Sequence, residues 1–267
     1  EPGINWVGMA SSERILFIFM FTLTFHVGWG STVSENWVER AVEIGQPAVA
    51  ITDHGYLFGA YEFYKAATDA GIKPILGLKH ITPGTSRFDQ TRQRWGEESQ
   101  RADDVSARGA YTHMTLLSRT TEGMHNLFRL GSLASIDGQM QKWPRADRDL
   151  LERYSTGLIG TMDAPREKFK TRLRLGQWEE AKKAAGELQD IFGKENFFVE
   201  LRITDSKIER RVRSELLELA KVINAPLIAT NDSHYVLESD QPTQDALLCI
   251  NSGSRLNDAD RFRFEGS

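Results

Sequence analysis

Histidine and carboxylate side chains follow or occupy three apolar segments of this chain, in positions suited to metal binding. Asp53 and His54 follow the run PAVAIT, His113 lies in the run YTHMTLLS, and Asp232 and His234 follow the run PLIAT. Imidazole nitrogens and carboxylate oxygens are the usual protein ligands of zinc, manganese and iron. If the three runs are strands that end at one edge of a sheet, these side chains predict a metal site at that edge.

The same residues also have a structural interpretation. A carboxylate directly after a strand accepts backbone N–H groups at the start of the next helix, which would explain Asp53 and Asp232. A single histidine in an apolar strand, such as His113, is more often a packed core residue than a ligand. Of the other histidines, His80 is expected in a surface loop and His125 on an exposed helix face. The residue types alone leave the metal and structural interpretations open.

Seven short apolar runs alternate with segments of helical periodicity. The runs cover residues 17–26, 47–52, 73–78, 111–118, 157–162, 197–203 and 226–230. Such alternation predicts an α/β fold with a parallel sheet and helices outside it. Seven strand–helix units in one domain-sized chain favour a closed barrel, whose functional groups lie at the C-terminal ends of its strands. Residues 83–109 and 137–147 show no clean period and are expected to be loops.

Composition excludes several classes of protein. Cys249 is the single cysteine, so the chain forms no internal disulfide and no cysteine-based zinc cluster, which fits a cytoplasmic protein. The formal net charge of −4 gives no electrostatic basis for strong DNA binding by the chain alone. The apolar run at 15–27 is shorter than the roughly 20 residues that span a bilayer, and we expect a buried strand there rather than a membrane segment.

Several longer blocks carry a family resemblance. Residues 48–78, 171–177, 208–213 and 227–236 resemble the polymerase and histidinol phosphatase (PHP) domain of bacterial DNA polymerase III alpha subunits, and most closely actinobacterial versions. The resemblance implies a distorted TIM-like (β/α)7 barrel. It also implies that complete family members hold up to three metal ions through nine His, Asp, Glu and Cys ligands and proofread DNA from the 3′ end. On this basis residues 17–267 are expected to form one PHP domain of a longer polymerase, preceded by an uncertain leader at 1–16.

Matched to the family, four residues fall on metal-ligand positions: His54, His113, Asp232 and His234. Asp53 matches a motif residue beside them, and His26 is the one candidate to replace a member of the family's opening histidine pair. Two other positions depart from the pattern. Lys79 stands where the family has a bridging glutamate, and Ala164 stands where it has a cysteine.

The departure at Lys79 bears on how many ions the site holds. A bridging carboxylate offsets the repulsion between neighbouring cations, whereas an ammonium adds a further positive charge. Lys79 could instead pair with Asp53 or Asp232 and replace a metal electrostatically. The sequence therefore predicts no metal, or a single zinc or manganese ion.

Three functions remain open from the sequence. The first is a non-catalytic structural module that supports the remaining domains or subunits of a DNA polymerase. The second is a metal-dependent phosphoesterase or 3′→5′ exonuclease, and the third is an autonomous binding protein. The ligand losses favour the first. Polymerisation is not expected of these 267 residues, because the family's catalytic carboxylates lie in a palm domain further downstream.

Overall fold

The computed structural model describes residues 16–17, 20–21, 30–92, 94–100, 111–162, 168–202, 207–230, 233–261 and 263. The strands are β1 (Leu16–Phe17), β2 (Met20–Phe21), β3 (Ala48–His54), β4 (Lys73–Pro83), β5 (Tyr111–Ser118), β6 (Leu158–Met162), β7 (Phe197–Arg202) and β8 (Leu227–Thr230). The helices are α1 (Gly30–Glu43), α2 (Ala60–Asp69), α3 (Thr121–Asp137), α4 (Arg148–Tyr154), α5 (Lys168–Arg174), α6 (Trp178–Phe192), α7 (Lys207–Val222) and α8 (Gln241–Ser252). Within these ranges, no helix combines the length and apolar character that crossing a bilayer requires.

All the strands belong to one mixed sheet in the order β1-β8-β7-β6-β5-β4-β3-β2. The two-residue strands β1 and β2 lie at opposite edges of this order, where they pair with β8 and β3. Only two residues separate Phe17 from Met20, so their Cα atoms lie within about 11 Å of one another. The sheet must therefore curl until its two edges approach each other, which gives an α/β half-barrel with helices packed outside it.

The predicted strands agree closely with the observed ones. Each of the seven apolar runs contains strand residues, and β4 extends beyond its predicted end to Pro83. The described part of the segment after β4 has no α-helix and contains a 3₁₀ turn at Glu98–Gln100, in agreement with its lack of period. Of the predicted leader at 1–16, only Leu16 lies within the described residues.

The prediction of a parallel sheet is wrong for β5, which runs antiparallel to both β4 and β6. A parallel crossover returns the chain to the starting end of the sheet, usually through a helix. The described part of the connection from β4 to β5 has no α-helix, so the chain re-enters the sheet at the same end. The next connection carries both α3 and α4, and β6 resumes the original direction.

The two faces of the sheet have different cores. The helix-facing side carries the main apolar cluster, in which Leu78, Met114 and Leu116 pack against the helices. On the concave side, a small cluster joins Ala50 of β3 to Leu117 of β5, with residues from β4 and β6 packed against it. Above this apolar floor, the concave face becomes polar towards the edge where β3 and β4 end and β5 begins. We call that edge the mouth.

A close backbone contact fixes α3 on the sheet and gives a test of the packing. A Cβ added to Gly123 would lie 1.9 Å from the carbonyl oxygen of Gly157, whereas a Cβ added to Gly131 of the same helix meets nothing within 4 Å. We expect Gly123→Ala to lower the free energy of unfolding by about 1–3 kcal/mol, because α3 must move away.

Gly131→Ala is the matched control in the urea unfolding measurement. It is expected to raise the free energy of unfolding by up to about 1 kcal/mol, because alanine favours the helical conformation. Equal effects of the two substitutions would contradict the close packing of α3 at Gly123.

Candidate metal site

Two predicted ligands from different strands, His54 and His113, lie side by side at the mouth. His54 ends β3, and His113 is near the start of β5, which the antiparallel direction brings to the same edge. Their ring centroids are 5.3 Å apart, with the planes tilted by 57°. His113 is buried and His54 is half-buried. Two imidazoles at this spacing fit neighbouring ligands of a single zinc or manganese ion.

Lys79 stands directly beside this pair. Its Cα is the register partner of His54 on one side and of Thr115 on the other. Residues paired across neighbouring strands project to the same face of a sheet. Lys79 therefore shares the concave face with His54, and it is only 2% exposed. A buried ammonium next to the imidazoles fits poorly with a cluster of several metal cations, because like charges repel strongly in a desolvated site.

Asp53 occupies the opposite face from His54, as the alternation along a strand requires. Its register partner is Leu78, which belongs to the helix-facing core. The carboxylate of Asp53 is buried and accepts a hydrogen bond of 3.2 Å from the backbone N–H of Gly59, the residue that precedes α2. This contact supports the structural interpretation of Asp53, and its role as a metal ligand stays a prediction.

The remaining predicted ligands are described only in part. His234 follows β8 and is half-buried, with its Nδ1 atom shielded from solvent. Asp232, His26 and the departure at Ala164 lie outside the described residues. Within the described part of the chain, no three His, Cys, Asp or Glu side chains come together in a way that could hold a metal ion. The described residues thus supply a pair of imidazoles rather than a complete coordination sphere.

A buried carboxylate that the sequence analysis did not single out also lies on the concave face. Glu200 of β7 is fully buried and accepts a hydrogen bond of 2.6 Å from the hydroxyl of Thr161 and another from the hydroxyl of Thr230. Thr161 is in register with Thr115, the neighbour of Lys79. The concave face therefore contains protein charges of both signs. The sequence signal that could have identified Glu200 is a charged residue within the apolar run FFVELR.

The basic run of α5 is less exposed than expected for a solvated helix face. Arg172 and Arg174 are both half-buried. The guanidinium of Arg172 lies 4.8 Å from the ring centroid of Trp95 and donates a hydrogen bond to the side chain of Gln177. The backbone carbonyl of Trp95 in turn accepts a bond from the Gln177 amide. Arg172 and Gln177 therefore hold Trp95, in the connection between β4 and β5, against the α5–α6 corner.

His80 was expected in a surface loop, but it is a buried residue of β4 on the helix-facing side. Its Nε2 atom lies 2.9 Å from the carbonyl oxygen of Ala146. Burial lowers the pKa of His80 to about 4, against smaller opposing effects of that hydrogen bond and of Asp147. The imidazole is therefore neutral at pH 7 and donates from Nε2. His125, by contrast, is exposed on α3 as predicted.

Comparison with known proteins agrees with the α/β fold. The sequence pattern of the PHP domain matches residues 24–204, more than half of the chain. The chain belongs to the PHP domain family. This PHP domain is 49% identical over 230 residues to the DNA polymerase III subunit alpha of Mycobacterium tuberculosis, and the match covers 86% of the chain and 19% of the relative. It is 37% identical to the corresponding subunit of Thermus aquaticus, with 86% and 18% coverage.

The PHP domain thus spans about a fifth of the length of these polymerase subunits. A solved structure from Bifidobacterium adolescentis, described as a metal-dependent phosphoesterase, also aligns with it. That alignment has a TM-score of 0.44 and 12% identity, and it covers 84% of this chain and 88% of the other.

The neutral state of His80 predicts how stability depends on pH. Between about pH 4 and pH 6.5 the unfolded chain binds more protons than the folded one, because the pKa of His80 is lowered on folding from 6.5 to about 4. Stability contributed by neutral His80 is complete above pH 6.5 and is lost as the pH falls towards 4. The full difference is worth about 3 kcal/mol.

His80→Gln should flatten this pH dependence in urea unfolding, because an amide can bond the Ala146 carbonyl without titrating. His125→Gln on the exposed face of α3 is the control and should leave the dependence unchanged. A steep loss of stability in His80→Gln between pH 6.5 and 4, equal to that of the parent chain, would rule out His80 as its source.

Proposed function

We propose that this PHP domain is a non-catalytic module of a DNA polymerase III alpha subunit, where it stabilises the rest of the enzyme. The carrying observation is the buried ammonium of Lys79 beside His54 at the mouth. The 49% identity to an actinobacterial alpha subunit supports the polymerase setting. The shared length of about a fifth of that subunit implies that the partners are the remaining domains or subunits of a polymerase.

The electrostatic argument concerns the number of cations at the mouth. Each pair of unit charges about 4 Å apart is worth roughly 4 kcal/mol at an effective dielectric of 20. A divalent ion at this distance from the Lys79 ammonium is therefore disfavoured by a larger free energy than a single charge, unless a carboxylate compensates the repulsion. Glu200 is a buried carboxylate on the same face, so the protein supplies its own counter-charge. We infer that charged side chains of the domain take over part of the electrostatic role that metal ions have in complete family members.

The proposed ligand set follows from the small number of cations that the mouth can hold. We assign at most one zinc or manganese ion to a site formed by His54, His113, Asp232 and His234, with His26 as a secondary candidate. The contact between His54 and His113 supports the first two of these assignments.

The domain bounds, the closure of the barrel and the cellular setting are also proposed from membership of the PHP family. Residues 17–267 form one PHP domain, and strands β1 and β2 close the sheet into a distorted (β/α)7 barrel. The pairing of β1 with β8 and of β2 with β3 supports this closure. DNA contact by the isolated domain is weak, as its net charge of −4 suggests, and the natural compartment is the cytoplasm of the replicating cell.

The second candidate function is a metal-dependent phosphoesterase or 3′→5′ exonuclease. The convergence of His54 and His113 at the mouth favours it, since these imidazoles can hold an ion that activates water and neutralises a phosphodiester. The two candidates differ in whether the domain cleaves DNA, which a direct assay measures.

Metal analysis tests the proposed limit on the number of ions. Chelator-treated protein dialysed against zinc or manganese should bind no more than one ion per chain by elemental analysis. Lys79→Glu restores a carboxylate and should bind manganese at least about tenfold more tightly than Lys79→Gln, which only removes the charge. Two or more ions in the parent chain would contradict the proposal.

A nuclease assay tests the non-catalytic role. We expect no cleavage of single-stranded DNA above background with added manganese or zinc. The control is the double variant His54→Gln, His113→Gln, prepared in parallel to measure contaminating nuclease. Metal-dependent cleavage that the parent chain shows and the double variant lacks would establish the exonuclease candidate in place of the proposed one.

A further inference from the structure

The irregular segment 138–147 contacts both sides of the histidine pair, and we call it the brace. On one side, the ring of Trp143 lies 5.2 Å from the ring of Tyr111, which lies 5.2 Å from the ring of His113. Ile81, Tyr111 and Met140 form a buried cluster with Trp143 packed against it. The brace is therefore connected to His113 through two contacts between tilted aromatic rings.

On the other side, the brace touches the backbone next to His54. A Cβ added to Gly55 would lie 2.8 Å from Cγ of Pro144, so Pro144 contacts the main chain at this position. Gly55 has a φ of 72°, a conformation that glycine adopts without strain. The hydroxyl of Tyr56 also lies 3.4 Å from the carbonyl oxygen of Lys142. Thus the residues directly after His54 pack on the same segment that supports His113.

Arg145 fixes the brace from inside. It is 1% exposed and is among the largest fully buried side chains of the described residues. Its guanidinium donates to the carbonyl oxygen of Gly138 at 3.1 Å, of Arg87 at 3.0 Å and of Asp89 at 2.8 Å. One side chain therefore ties the start of the brace to the segment that follows β4. Removing it would leave three carbonyl groups without these donors.

Three further contacts attach the end of the brace. The backbone of Ala146 donates to the carbonyl of Ile81 at 3.0 Å, and His80 donates to the Ala146 carbonyl. Asp147 is the N-cap residue of α4 and forms an ion pair of 2.7 Å with Arg87. Burial alone would raise the pKa of Asp147, but the hydrogen bonds and charge of Arg87 lower it. The brace is thus attached to β4, to α4 and to the segment after β4.

The distance between the two histidines shows why a brace matters. Strand β4 lies between β3 and β5, so backbones two strands apart are separated by roughly 10 Å. The imidazole centroids are nevertheless only 5.3 Å apart, because the rings lean towards each other. Sheet pairing alone does not determine this lean. The contacts beside His54 and His113 come from one segment, which can set the orientation of both.

We propose that the brace, fixed by Arg145, determines the spacing and orientation of His54 and His113, so that Arg145 is a positioning residue for the site. The proposal concerns the geometry of the pair and applies whether or not the domain cleaves DNA. It also makes the segment after β4 part of the same unit, since Arg145 bonds the carbonyls of Arg87 and Asp89.

The test compares histidine ring signals in metal-free protein. We use ¹H–¹³C NMR of the imidazoles in chelator-treated protein, with signals assigned from His54→Gln and His113→Gln. Arg145→Met removes the guanidinium and keeps much of the side-chain volume, so it should displace the signals of both histidines. Arg172→Met removes a guanidinium that stacks on Trp95 instead, and it should leave both sets of signals in place.

A second pair of variants keeps the proposal testable if Arg145→Met does not fold. Trp143 is half-buried, so Trp143→Ala should fold and displace the His54 signals as well as those of His113. Trp143→Phe retains an aromatic ring and should keep the His54 signals close to those of the parent. Unchanged His54 signals in Trp143→Ala, or in folded Arg145→Met, would overturn the proposal, as would an equal displacement in Arg172→Met.

Discussion

Strand β4 pairs with both strands that carry the histidine pair, and its register determines where the candidate site stands. On its concave side β4 places Lys79 beside His54 and Ile81 beside His113. On its helix-facing side it places His80, which bonds the brace at Ala146. One strand therefore sets the charge next to the site, the separation of the two strands that carry the histidines and the attachment of the brace. A shift of one residue along β4 would exchange its two faces and remove all three features.

Polar and charged side chains are buried on the concave face of the sheet. A buried charge is costly unless a counter-charge or hydrogen bonds compensate it. Glu200 accepts hydrogen bonds from two threonine hydroxyls, and one of these threonines, Thr161, is in register through Thr115 with Lys79. These hydrogen bonds compensate part of the cost of burying the Glu200 carboxylate.

The connections at the mouth are ordered by specific contacts rather than by regular secondary structure. The segment after β4 is attached at one end by Arg87 and Arg145 and at the other by Trp95 and Gln177. Because these contacts use main-chain carbonyls and buried side chains, the loops are continuous with the core.

The sequence by itself determined the strand positions, the main helices and the family, because alternating and 3.6-residue patterns are local properties of the chain. It also identified His54 and His113, whose chemistry is visible in the residue types. Tertiary structure decided the direction of β5, since an irregular connection shows no pattern that fixes which end of a sheet it joins. It also decided that Asp53 faces α2, that His80 is buried and that Glu200 and Arg145 have central positions. Contacts between segments distant in sequence decide which face of a strand lies inside. They also decide which carbonyl groups a buried arginine contacts.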